Sequence, residues 1–196
     1  MQKLSSIIMK GVFSLCFVFC IFTISTAQNS DFRNHSWGAS KESIQQSETG
    51  KLVLTEPDRL IYDISIGGSN VKVVYTFTSN GKLMRAKYLF APNYFNSVYY
   101  IRDFKLYIET LTAKYGKPLG ISPKVITKSS IKEDEWAAYL VAGELFVQST
   151  WQTERTKILL TMSKVDTYPA IQIDYVSIAF DKEDLAEKKA QYLKEF

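Results

Sequence analysis

Histidine and cysteine are nearly absent from this chain, and their scarcity removes several familiar chemistries. There is one histidine, His35, and there are two cysteines, Cys16 and Cys20, in 196 residues. A zinc site wants three or four nitrogen, sulfur or oxygen ligands, and a Ser-His-Asp triad needs its imidazole held rigidly beside a serine and an acid. His35 stands in a polar stretch that shows no sign of such rigidity, so it reads as an exposed spectator. Gly67-Gly68 has no Gly-x-Gly-x-x-Gly or lysine-serine pattern around it and reads as a turn, not a phosphate cradle. Lysines and arginines do not cluster, and the formal net charge is only +4, so the electrostatic footprint of a nucleic-acid binder is missing. The densest acidic run, Glu133-Asp134-Glu135, lacks an Asp-x-Asp-x-Asp-Gly calcium pattern and reads as a solvated loop. No cofactor, metal or catalytic residue is expected.

What the chain does have begins with its first 27 residues. Lys3 and Lys10 precede an apolar run from Val12 to Ile24, and Ser25-Thr26-Ala27 supplies small residues before Gln28. That is the pattern of a secretory signal peptide cleaved near Ala27. The run is short for a membrane span, which needs roughly 20 apolar residues. Cys16 follows Leu15 and Cys20 follows Phe19, so neither resembles a lipidation site. Both cysteines fall inside the expected leader, which also holds two lysines and no acid. The expected mature protein is thus cysteine-free, without disulfides, weakly charged, periplasmic or secreted, and has no stable membrane span. About 170 residues remain, enough for one domain of ordinary size.

Residues 28–36 are polar and read as a flexible segment. Ser40 then offers a helix cap, with Glu42 in the first turn and Ile44 as the apolar anchor of a short helix ending near Gly50. Strands are expected at 52–55 and 60–66. The strongest local signal is Asn80-Gly81 between the runs 71–78 and 83–90. A two-residue loop there pairs Phe77 with Met84, Tyr75 with Ala86, Val73 with Tyr88 and Val71 with Phe90, all apolar and on one face. Thr76 with Arg85 and Val74 with Lys87 form the wetter face. A long helix is expected over 97–115, with Ile101, Phe104, Ile108, Leu111 and Tyr115 as its stripe and Gly116 as terminator. The stretch 117–135 reads as an irregular connection. Strands are expected at 136–141, 144–153, 156–163 and 170–178, and a charged helix at 182–194 capped by Asp181. In the last strand Ile171, Ile173 and Tyr175 face the core while Gln172 and Asp174 face water. The fold class is therefore α+β: an antiparallel sheet packed against a long helix over 37–180, in two possible halves, 37–92 and 93–180, that suggest two α-β4 units, with 181–196 as the charged terminal helix.

Two groups are the candidate contact residues. Tyr94, Phe95, Tyr99, Tyr100 and Tyr107 do not all fit the core stripe of the long helix, so they either stack on a ligand or pack beneath the 117–135 connection. Arg85 and Lys87 mark a sheet face able to engage a partner, as does any exposed strand edge. Asn34-His35-Ser36 also fits the acceptor pattern for N-glycosylation.

Trp37-Gly38-x-Ser40, Leu111-x-x-Lys114-Tyr115-Gly116-x-Pro118 and Trp151-x-Thr153-x-Arg155-Thr156 resemble the punctuation of small exported bacterial proteins of uncharacterised families. A leader ending in Ala27-Gln28 is similar in style to those of Bacteroidetes. The order of helix then strands is also similar to outer-membrane assembly lipoproteins of the BamE type and to the tandem-repeat β-lactamase inhibitory protein, although the lipid-modified cysteine of the former is missing. The resemblance covers roughly 32–178 and carries no functional residue over. Together these readings imply an exported, noncatalytic protein that binds a protein or small ligand of the cell envelope. Two alternatives stay open: a carboxylate-dependent hydrolase of envelope glycans, and a structural envelope component.

Overall fold

The computed structural model describes residues 30–128 and 130–195. The expected leader, Cys16 and Cys20 lie outside them, as do the first residues of the segment read as flexible.

The short helix α1 (Lys41–Ser47) is capped by Ser40, whose hydroxyl accepts from the Ser43 N–H, and it sinks Ile44 completely into the core. Four strands follow: β1 (Lys51–Glu56), β2 (Arg59–Ile66), β3 (Ser69–Phe77) and β4 (Leu83–Phe90). Next comes α2 (Val98–Tyr115), which ends at Gly116 with φ of 82°, a conformation that disfavours any residue with a Cβ. The remaining elements are β5 (Gly120–Val125), α3 (Trp136–Ala142), β6 (Leu145–Gln152), β7 (Thr156–Val165), β8 (Tyr168–Ser177) and α4 (Ile178–Glu195). All eight strands join one antiparallel sheet in the order β1-β2-β3-β4-β8-β7-β6-β5. The fold is thus α+β with an antiparallel sheet.

Strict alternation along the strands sorts side chains between the two faces. One face carries Tyr62, Val73, Tyr75, Ala86, Ile173, Ile158 and Val147, all buried. Phe32, Trp37, Ile44, Tyr100, Ile101, Phe104, Leu111, Trp136 and Leu140 complete the same core from the N-terminal segment, α1, α2 and α3. Each large side chain removed from water in this way contributes roughly 1.5–3 kcal/mol. Two indoles are anchored inside it: the Trp37 Nε1–H donates to Thr156 Oγ1 at 2.8 Å and the Trp151 Nε1–H to the Gly116 carbonyl at 3.0 Å.

Five expectations need correction. Residues 136–141 are helix, not strand: Trp136 and Leu140, four apart, are the buried pair, and Gly143 with φ of 80° ends the turn. The connection 117–135 contains β5, an edge strand that tolerates Pro123 because only one of its sides is paired. In the β3–β4 hairpin Thr78 N–H bonds to Lys82 O and Gly81 takes φ of 72°, so the loop has three residues and Phe77 faces Leu83 instead of Met84. The pairs Tyr75–Ala86, Val73–Tyr88 and Val71–Phe90 stand as expected. Helix α4 begins at Ile178, which places Asp181 inside its first turn. Finally, Phe32 and His35 are buried, at 2% and 6% exposure, and pair with each other in a tight turn where Arg33 takes φ of 52°. The described end of the segment read as flexible is part of the core, and His35 is no exposed spectator.

Candidate functional site

The second face of the sheet carries two of the candidate residues, Arg85 and Lys87. Strand register aligns Val74, Lys87, Asp174, Leu159 and Thr150 in one row across five strands, and Lys72, Leu89, Gln172, Thr161 and Gln148 in the next. All are exposed or half-buried. Asp174 and Gln172 thus face away from the core, as their alternation with Ile171, Ile173 and Tyr175 required.

Several charges on this face are paired within the chain. Lys87 Nζ lies 3.3 Å from Asp174 Oδ1 and donates to Gln172 Oε1 at 3.4 Å. Arg85 donates to Asp181 and sits 4.0 Å from Asp184, both on α4, which therefore flanks the sheet at this end. Lys72 Nζ bonds Asp63 Oδ1 at 2.8 Å. Between these pairs lie threonine, glutamine, leucine and valine side chains. The result is a broad face that mixes ion pairs with neutral hydrogen-bonding and aliphatic groups and also carries the exposed lysines Lys124 and Lys157.

The five aromatic candidates do not form one site. Tyr100 is buried, takes the Tyr94 N–H on its hydroxyl oxygen at 3.2 Å and donates to the Pro92 carbonyl at 2.6 Å. Tyr107 packs on Phe90 with ring centroids 4.6 Å apart, and burial pushes its hydroxyl up to about 12. Tyr94 donates to Asp103, a bond that also raises its pKa, and touches Tyr99 and Tyr100 edge-on. Tyr99 is half-exposed beneath the Arg102 guanidinium, 4.8 Å from its centroid, and Phe95 is fully exposed. Tyr94 and Tyr100 tie down the start of α2, Tyr107 packs its middle against Phe90, and of the five only Phe95 and Tyr99 present substantial surface. Glu133 and Glu135 lie in an exposed 3-10 turn, where they pair with Lys105 and Lys128.

A buried polar cluster on the covered face escaped the sequence reading. The Glu48 side chain, 2% exposed, accepts two bonds from Arg33, Nε at 2.9 Å and Nη2 at 3.0 Å, and one from the Tyr75 hydroxyl. The Thr49 and Gly50 N–H groups also donate to it, at 2.9 and 3.2 Å. Burial alone would raise its pKa, but the bonds from Tyr75, Arg33 and Gly50 outweigh that and hold it below the usual carboxylate range. Tyr88 helps to raise the Arg33 pKa, and the His35 ring meets Tyr75 edge-on at 5.6 Å. Burial, with the Arg33 charge beside it, lowers the His35 pKa and favours its neutral form. A carboxylate locked in this way is a poor proton donor, so the cluster clamps the N-terminal segment to β3 and β4. Nearby, a cleft of about 360 Å³ is lined by Asp31, Lys114, Tyr115 and Arg155, where Arg155 is engaged by Asp31 at 2.9 Å.

Among the described residues no group of three or more histidine, cysteine, aspartate or glutamate side chains is arranged to hold a metal ion, and no helix is long and apolar enough to cross a membrane. No family model, curated protein or solved structure matches the chain.

Proposed function

We propose that this chain is an exported, noncatalytic α+β protein whose open sheet face binds a protein partner in the cell envelope. The observation that carries the reading is the pair of cross-sheet rows through Lys87–Asp174 and Leu89–Gln172, a wide face left uncovered while the opposite face carries the core. Small-molecule sites are enclosed, mostly apolar concavities; a broad sheet face of threonine, glutamine and matched ion pairs suits a protein surface better. The leader cleaved near Ala27 would deliver the protein to the periplasm or beyond, in keeping with its similarity to small exported bacterial proteins. Within this reading the halves 37–92 and 93–180 are two α-β4 units whose last strands, β4 and β8, meet at the centre of the sheet.

The test is capture from a periplasmic extract with the wild-type chain and with Arg85→Glu/Lys87→Glu. Exposed ion pairs are worth about 0–1 kcal/mol, so the variant should stay folded. Reversing two charges at an interface is expected to lower capture about tenfold or more. Equal capture by both proteins removes this face from consideration.

A further inference from the structure

The two edges of the sheet are treated differently by the sequence. Edge strand β5 carries Pro123 at its middle and Lys124 beside it, both devices that discourage another strand from adding. Edge strand β1 reads Lys-Leu-Val-Leu-Thr-Glu, has neither proline nor lysine at its centre but a bulge at Val53, and exposes Leu52, Val53 and Leu54 in succession. It has a neighbouring strand on one side only. We propose that β1 is the contact through which two copies of this chain join, edge to edge and antiparallel, extending the sheet across both molecules.

The strand's own pattern selects a second copy as the occupant. Its ends carry opposite charges, Lys51 and Glu56, so an antiparallel two-fold pairing sets Lys51 of each copy opposite Glu56 of the other. Leu52 then meets Thr55 and Val53 meets Leu54. In a regular strand positions five apart point to opposite faces, and this register would fail. The β1–β2 ladder slips by one residue at Val53, and the slip repairs it. Lys51 is opposite Asp63 and Glu56 opposite Arg59, and those two β2 residues, four apart, share a face. Leu52 and Thr55 are opposite Tyr62 and Leu60, which share the covered face. The Lys51–Glu56 and Leu52–Thr55 pairs of the proposed register therefore join side chains that lie on the same side, as an isologous contact requires, and the bulge at Val53 falls at the two-fold axis. The Glu56 carbonyl already accepts from Lys41, at the strand's end, so that one acceptor is engaged within the chain. The backbone ladder supplies the attraction, and the charged ends select the register.

Sedimentation of the purified protein tests this, with two single variants and their mixture. Wild type is expected to dimerise at concentrations on the order of 100 μM or below. Lys51→Glu opposes glutamate to glutamate and Glu56→Lys opposes lysine to lysine, so each alone should sediment as a monomer. Mixed one to one, each glutamate faces a lysine of the other chain, and dimers should return. The mixture distinguishes pairing from misfolding, because a variant that had lost its fold would not recover on adding the other. A wild type that stays monomeric, single variants that dimerise as well as wild type, or a mixture no larger than its components would each overturn the proposal.

Discussion

Replacing Glu48 by leucine is expected to lower unfolding stability by about 3–5 kcal/mol, the usual loss when one member of a buried ion pair is removed. The variant strands the Arg33 guanidinium and the Tyr75 hydroxyl, both of which now end on the Glu48 carboxylate. The double replacement Arg33→Leu/Glu48→Leu should recover part of that loss, because it removes the orphaned charge together with its partner. Urea denaturation of the two variants checks both statements. A loss under about 1 kcal/mol for the single variant, or no recovery in the double, contradicts them. Acid should act on the same cluster in two steps. His35 has a depressed pKa in the fold, so its contribution is complete above the unfolded value of about 6.5 and declines as pH falls below it. Glu48 is also depressed, so its contribution is complete above about 4.3 and is lost at lower pH.

Truncating Phe32 to alanine should cost a further 3–5 kcal/mol, the range for emptying a buried phenylalanine site. Its ring touches Tyr75, Tyr88 and Tyr175, with centroids 5.6, 4.9 and 5.0 Å away. Only the methyl of Ala86 stands between Tyr75 and Tyr175 in the sheet, so the Phe32 ring fills the space between these two tyrosines. Phe95→Ala provides the contrast: that ring is fully exposed, and its removal should change stability by less than about 0.5 kcal/mol. Thermal unfolding of the two variants side by side separates the residue that builds the core from the one that does not. A loss for Phe32→Ala as small as that expected for Phe95→Ala would mean that the N-terminal turn is dispensable to the fold.

The parts of the fold that were legible in the sequence are those written in local periodicity. Alternation over 71–77 and 85–90, with Asn-Gly between, gave five cross-strand pairs directly, and the 3–4 spacing of Ile101, Phe104, Ile108 and Leu111 gave α2. Trp136–Ala142 was lost because seven residues hold too few turns to separate a helical period from a buried strand. Strand β5 was lost because Gly120, Ser122, Pro123 and Lys124 leave only Ile121 and Val125 as strand-like residues, although an edge position accepts glycine and proline. The Arg33–Glu48 clamp left no local trace at all. Its members stand fifteen residues apart in polar surroundings, and Phe32 is a lone apolar residue whose neighbours come from β3, β4 and β8. Of the candidate contact residues, Arg85 and Lys87 were legible from the hairpin's register, whereas their carboxylate partners on α4 and β8 required the tertiary fold.

Contact through the uncovered face is the claim on which the functional reading stands, and site-specific photocrosslinking addresses it most directly. A photoreactive side chain at Gln172, central in the second row, should join the protein to one discrete envelope partner when irradiated in its native host, and Arg85→Glu/Lys87→Glu should abolish that adduct. The same probe at Phe95 should yield none. Adducts from position 95 alone, or none from position 172 under conditions where the protein is folded and exported, would contradict the assignment of the sheet face as the binding surface.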